Sequence, residues 1–144
     1  MPIWNKPIDP ARAATFGAGS MLEALGIRFL EFGDDFLRAA MPVDARTRQP
    51  LGLLHGGASV VLAETLGSFG GWLCLPPGEG QVVGIEINAN HLRAVREGEV
   101  VGTARPIHLG RSTQVWETRI VDPQDRLVCI SRLTLAVVPE TPRA

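Results

Sequence analysis

Between His55 and Glu79 the chain carries one side chain charged at neutral pH, Glu64. It lies in the run L-L-H-G-G-A-S-V-V-L-A-E-T-L-G-S-F-G-G-W, residues 53–72, whose other members are mostly apolar or small. A carboxylate in such surroundings needs a charged partner, a raised pKa or a chemical task. Beside an electrophilic carbon it attacks as a nucleophile or deprotonates a water. Upstream, His55-Gly56-Gly57 falls where a loop turns into a helix. The unsatisfied N–H groups at a helix N-terminus suit a developing oxyanion, and Gly56, lacking a side chain, lets a carbonyl reach its amide. Ser68 follows Glu64 by one helical turn, where a hydroxyl either orients the carboxylate or a water, or simply packs. Gln49, beside Pro50, is either a surface amide or a holder of a substrate carbonyl. His55 either caps the helix or acts by its position rather than by proton transfer.

The element that must position these groups is the helix itself. Val61, Leu62, Leu66, Phe69 and Leu73 recur with helical period. Small residues occupy nearly every other face, so the helix is expected to be buried on all sides. A membrane span needs about 20 mainly apolar residues, and Glu64 among so many glycines argues against one. Gly56, Gly57, Gly67, Gly70 and Gly71 each cost about 1 kcal/mol relative to Ala in a helix interior. They imply that a wrapping sheet, a symmetry mate or a ligand comes close to the backbone.

Around the helix the sequence reads as one domain, 1–144, of 144 residues and net charge −1, long enough for a core. Residues 1–25 are expected to be an N-terminal helical segment. Asp9-Pro10 starts one short helix, and a second turn, 20–25, ends at Gly26. Residues 27–32 and 36–43 form a hairpin about Gly33-Asp34-Asp35. After Pro76-Pro77-Gly78 come four strand-like runs, 82–91, 99–109, 112–122 and 127–138, and then a loose tail, 139–144. In the third run Gln114, Trp116, Thr118 and Ile120 alternate with Thr113, Val115, Glu117 and Arg119, as in a half-buried antiparallel strand. The fold class is α+β, an antiparallel sheet curled around a long central helix, which is the hotdog arrangement. Near-neutral charge gives no footprint for nucleic acid or an anionic membrane surface. Cys74 and Cys129 read as reduced small hydrophobes, with no disulfide framework and no zinc site. The N-terminus M-P-I-W-N-K-P lacks the apolar core of a signal peptide, so a cytoplasmic location is expected.

The segments Q-P-L-G-L-L-H-G-G-A-S-V-V-L-A-E, V-G-I-E-I-N-A-N-H-L-R and P-I-H-L-G-R-S, in that order, resemble the hotdog-fold acyl-CoA thioesterases. The similarity is to the branch with a catalytic glutamate on the central helix, which includes aryl-CoA hydrolases and thioesterases that proofread carrier proteins. It spans residues 26–138. The resemblance implies thioester hydrolysis, with Glu64 as nucleophile or general base and the Gly56 amide as oxyanion donor. His55, Gln49 and Ser68 would complete the catalytic set. No metal and no redox cofactor is implied, coenzyme A being part of the substrate. The partner is then an acyl- or aryl-CoA thioester, or an acyl or aryl carrier protein.

Gly56 and Glu64 lie about 12 Å apart along one helix, too far to touch a single carbonyl. Two antiparallel helices across a two-fold axis would pair Gly56 of one chain with Glu64 of another. A homodimer with shared sites is therefore expected, its helices brought close by the glycine-rich face, and the resemblance implies a dimer of dimers. His108-Leu109-Gly110-Arg111-Ser112-Thr113 forms a tight turn whose cations and free amides suit the phosphates of coenzyme A or are simply solvated. The resemblance adds Gly84 and the segment His91-Leu92-Arg93-Ala94 to the nucleotide and pantetheine contacts. Arg96 reads as surface charge, and Asn88 and Asn90 as satisfying backbone groups at a sheet edge. Trp72, Phe69, Leu51 and Met21 are candidates for an aromatic acyl pocket, or for core. Two rival readings remain, a hotdog 3-hydroxyacyl thioester dehydratase and a dimer that binds acyl-CoA without catalysis. Hydration of an enoyl-CoA, followed in the ultraviolet, separates the first of these from a hydrolase.

Overall fold

The computed structural model describes residues 1–140; the end of the expected tail, 141–144, lies outside the described residues. Two short helices lead in. In α1 (Pro10–Thr15) the Asp9 side chain accepts a hydrogen bond from the Ala11 amide at 3.0 Å, with Pro10 in the first turn. α2 (Met21–Leu25) starts at Ser20 and stops at Gly26, whose φ of 72° is the left-handed conformation that a glycine cap supplies. Strands β1 (Arg28–Phe32) and β2 (Leu37–Pro42) form the expected hairpin, closed by Gly33 N–H donating to Phe36 O at 2.8 Å. The central helix α3 (Gly56–Leu73) follows, then β3 (Gln81–His91), β4 (Glu99–Leu109), β5 (Thr113–Val121) and β6 (Leu127–Val138). The six strands make one antiparallel sheet in the order β1-β2-β4-β5-β6-β3.

This sheet curls around α3, which contacts every strand from β2 to β6. Leu62, Leu66 and Leu73 are buried against Val100, Trp116, Ile120, Leu133 and Leu135. The glycines explain how close the sheet comes. A Cβ at Gly67 would fall 2.6 Å from Leu133 Cδ2, and one at Gly70 2.8 Å from Trp116 Cη2. One at Gly71 would fall 2.6 Å from Leu135 Cδ1. These contacts correct the expectation of a glycine face for a second helix: Gly67, Gly70 and Gly71 are buried beneath the chain's own sheet. Val61, Glu64, Thr65, Ser68 and Trp72, at helical spacing, form the half-buried face that the sheet leaves open.

Two buried polar side chains fasten the sheet to the helix. Trp116 Nε1 donates to Gln114 Oε1 at 2.9 Å, and Gln114 Nε2 donates to Gly71 O at 3.3 Å, so neither is left unsatisfied. The N-terminal segment does more than precede the domain. Trp4 Nε1 donates to Gly33 O at 2.7 Å, and its ring stacks on Trp116 at a 6.3 Å centroid distance. Asn5 Nδ2 donates to Cys74 O at 2.6 Å, and Lys6 Nζ to Trp72 O at 3.0 Å and Leu75 O at 2.7 Å. Trp72 O also accepts from the Leu75 amide at 3.1 Å, whereas the Cys74 and Leu75 carbonyls lie past the last helical residue; a cation there also suits the helix dipole. Burial lowers the Lys6 pKa from its usual value.

Candidate active site

At the N-terminus of α3, His55 is the cap residue, with φ −69° and ψ 131°. Its Nδ1 accepts from the Gly57 amide at 2.8 Å, so this nitrogen is unprotonated and the ring is a structural cap. The Gly56 amide makes no hydrogen bond within the described residues. It is the free donor of the pair. The His91 ring stands over Gly56, where an added Cβ would meet Nε2 at 2.8 Å. Gln49 lies in a tight loop, where its backbone N–H donates to Leu53 O at 2.8 Å and its Oε1 accepts from the Leu51 amide. Its Nε2 hydrogens remain free to donate. Gln49, Gly56, His91, Leu92, Arg93 and Ala94 together line a cavity of about 390 Å³.

Two turns along α3 the setting changes. Glu64 is half-buried, less than the full burial expected, because it occupies the face left open by the sheet. It makes no hydrogen bond or ion pair with any described residue. Gly84 on β3 packs against it: an added Cβ would meet Glu64 Oε1 at 2.5 Å. Glu64 and Ser68 line a second cavity of about 750 Å³, with Phe69, Trp72 and Met21 on the wall. Leu51, expected among these, is instead 78% exposed at the tip of the Gln49 loop and lines neither cavity.

The sheet register divides the remaining candidates. Leu109 pairs with Gln114, Gln114 with Leu135, and Leu135 with Gly84, so the turn carrying His108, Gly110, Arg111, Ser112 and Thr113 lies at the Gly84 end of the sheet. His91 pairs with Cys129, and Cys129 with Ile120, at the opposite end. Seven residues of strand, about 23 Å, separate Gly84 from His91. One chain thus sets Gly84 against Glu64 and places the 108–113 turn at the same end of the sheet. Gln49, His55, Gly56 and residues 91–94 form a second group. The chain does not bring the two groups together. The expected juxtaposition of the glycine turn with the His91 segment is absent within a protomer, because β3 is extended between them.

Apart from Met21, a pocket candidate from the sequence, the sequence did not reveal the part played by the N-terminal helices. Arg12 and Phe16 of the α1 region and Met21 and Leu22 of α2 close the wall of the larger cavity. The Phe16 and Phe69 rings lie 4.8 Å apart. Short helices with a few apolar residues carry too little periodicity to show which way they face.

Comparison with known proteins agrees with this architecture. Residues 51–129 match the family model described as Thioesterase superfamily. The chain is 55% identical to the 1,4-dihydroxy-2-naphthoyl-CoA hydrolase of Escherichia coli (strain K12), over 94% of this chain and 99% of that one. It is 51% identical to the proofreading thioesterase EntH of Cronobacter turicensis, over 94% and 98%. The crystal structure of a thioesterase from Haemophilus influenzae superposes with a TM-score of 0.93 at 48% identity, covering 98% of this chain and 99% of the other. A six-stranded antiparallel sheet around one long helix, together with these likenesses, places the chain in the thioesterase superfamily, with its hotdog fold.

Proposed function

We propose that the protein, a thioester hydrolase of this superfamily, cleaves aryl- or acyl-CoA thioesters to the free acid and CoA, at sites shared between two copies of the chain. The reading places it in the cytoplasm and requires no metal or redox cofactor. Glu64 carries it. A carboxylate held in a largely apolar cavity without a structural partner among the described residues has its use in chemistry. The Gly56 amide and Gln49 Nε2 receive the thioester oxygen as it gains charge, and His55 holds the helix end so that the Gly56 N–H stays free. Glu64 either adds to the carbonyl carbon, giving an anhydride that water then opens, or takes a proton from the water that adds. In both routes the C–S bond breaks, the thiolate of CoA leaves and is protonated, and Ser68 orients carboxylate or water.

The division of the site into two distant groups supports sharing. β3 ends the sheet, with β6 as its sole neighbour among the described strands, and its exposed Val83 and Ile85 leave an apolar edge. Such an edge invites pairing with another strand. Antiparallel pairing of two β3 strands about Ile87 sets Gly84 of one copy level with Asn90 of the other, so that each group meets its complement. On the resemblance of its motifs we extend this to a dimer of dimers. The naphthoyl-CoA relative and the aromatic wall of Phe16, Phe69 and Trp72 favour aryl acyl groups.

Hydrolysis of benzoyl-CoA, followed by thiol release, tests the reading. Glu64→Ala is expected to lower kcat 10²-fold or more; a fall of less than about tenfold removes Glu64 from the mechanism. Comparing CoA thioesters with one aryl-carrier-protein thioester identifies the carrier.

A further inference from the structure

Taking the cavity around Glu64 as the acyl site, as proposed above, we infer that Arg12 is a specificity-determining residue, and that it selects acyl groups bearing a carboxylate remote from the thioester. Arg12 is the one cation lining that cavity among the described residues. It lies in the last turn of α1 and is exposed. No hydrogen bond or ion pair ties its guanidinium to a described residue. This is unlike the other arginines that face carboxylates: Arg28 pairs with Glu99 at 2.8 Å, Arg46 with Asp44 at 2.7 Å and Arg126 with Asp122 at 2.7 Å.

The surroundings show what the free guanidinium offers. Lys6 lies over the Trp72 ring at 4.9 Å, but its ammonium is spent on the carbonyls of Trp72 and Leu75. The cavity's other charges are both acidic, Glu64 and Glu140, and neither is ion-paired with a described residue. Glu140 acts at a distance on Lys6, raising its pKa against the effect of burial. Among the described residues, Arg12 is therefore the one positive charge that an acyl group with its thioester at Glu64 can meet in this cavity. Arg12 also borders a second cavity of about 210 Å³, sharing with the first the wall of Phe16, Phe69 and Trp72. A ring against this wall presents its far substituent to the α1 side. A guanidinium offers a carboxylate two parallel N–H donors, whereas a bare ring or alkyl chain leaves it unused.

The test is kcat/KM for benzoyl-CoA against its 3-carboxy and 4-carboxy derivatives, in the wild type, Arg12→Ala, Arg12→Lys and Arg12→Glu. At least one carboxylated isomer is expected to lose about tenfold relative to benzoyl-CoA in Arg12→Ala, mainly through KM. The loss should be greater in Arg12→Glu and smaller in Arg12→Lys. A merely structural role for Arg12 lowers all three substrates in proportion. If the ratios for both isomers stay within twofold of wild type in Arg12→Glu, the inference is overturned. Failure of the wild type to hydrolyse any of the three thioesters would count instead against the parent reading.

Discussion

The backbone at Gly84 leaves no room for a side chain beside Glu64, and this makes a prediction of its own. A methyl group at residue 84 would come within 2.5 Å of Glu64 Oε1. The carboxylate tip is flexible and can swing aside at little cost in stability, but a misplacement of about 1 Å costs roughly 10²-fold in rate. Gly84→Ala should therefore lower kcat by about that factor while leaving the unfolding midpoint nearly unchanged, as paired kinetics and thermal melts would show. Glu64→Asp should be similarly impaired, since removing one methylene draws the oxygen back; activity near wild type would mean that the carboxylate need not be placed closely. His55 predicts the converse pattern. Its Nδ1 caps α3, so His55→Ala should cost about 1 kcal/mol of stability as well as activity, while His55→Asn, which can also cap, recovers the stability.

At the level of elements, α3 divides its two faces between packing and chemistry. Gly67, Gly70 and Gly71 face the sheet, and the Trp116, Leu133 and Leu135 side chains they admit are buried. At residue 70 a Cβ would lie under 3 Å from both Trp116 and Leu37, neither of which has room to retreat. Overpacking costs about 1–3 kcal/mol, against a gain of about 1 kcal/mol in helix propensity, so Gly70→Ala is expected to lower stability in a urea titration. A stabilised variant would show that the wrap is looser than it looks. The C-terminal end of α3 also holds Cys74, whose thiol burial pushes up to about 11, and burial raises the pKa of Cys129 as well. Raised values mean less thiolate at a given pH. At pH 8 both cysteines should resist a thiol reagent in the folded protein and react once denaturant unfolds it.

On the scale of the whole molecule, the register along β3 keeps the Gly56 group and the Glu64 group apart within one chain, and in the proposed mechanism a second chain unites them. Mixing inactive Glu64→Ala with inactive Gly56→Val protein should therefore restore part of the activity, because one of the two sites in each mixed dimer is intact. No recovery after demonstrated subunit exchange would show that each chain works alone. The strands, the hairpin and the long helix were legible because their signals are local: period two, period 3.6 and glycine or proline punctuation. Glu64 was legible because a lone carboxylate in an apolar helix is conspicuous in any fold. The direction of the glycine face was not, since a sheet, a second helix and a ligand leave the same requirement for small residues. Nor was the place of Arg12, or the gap between Gly84 and His91. Both depend on which strands and helices become neighbours, and long-range packing decides that. The sequence by itself thus determined the elements and the ionisable and small residues they carry, whereas the tertiary structure alone decided which of these share a cavity and which lie at opposite ends of the sheet, because long-range packing sets the neighbours.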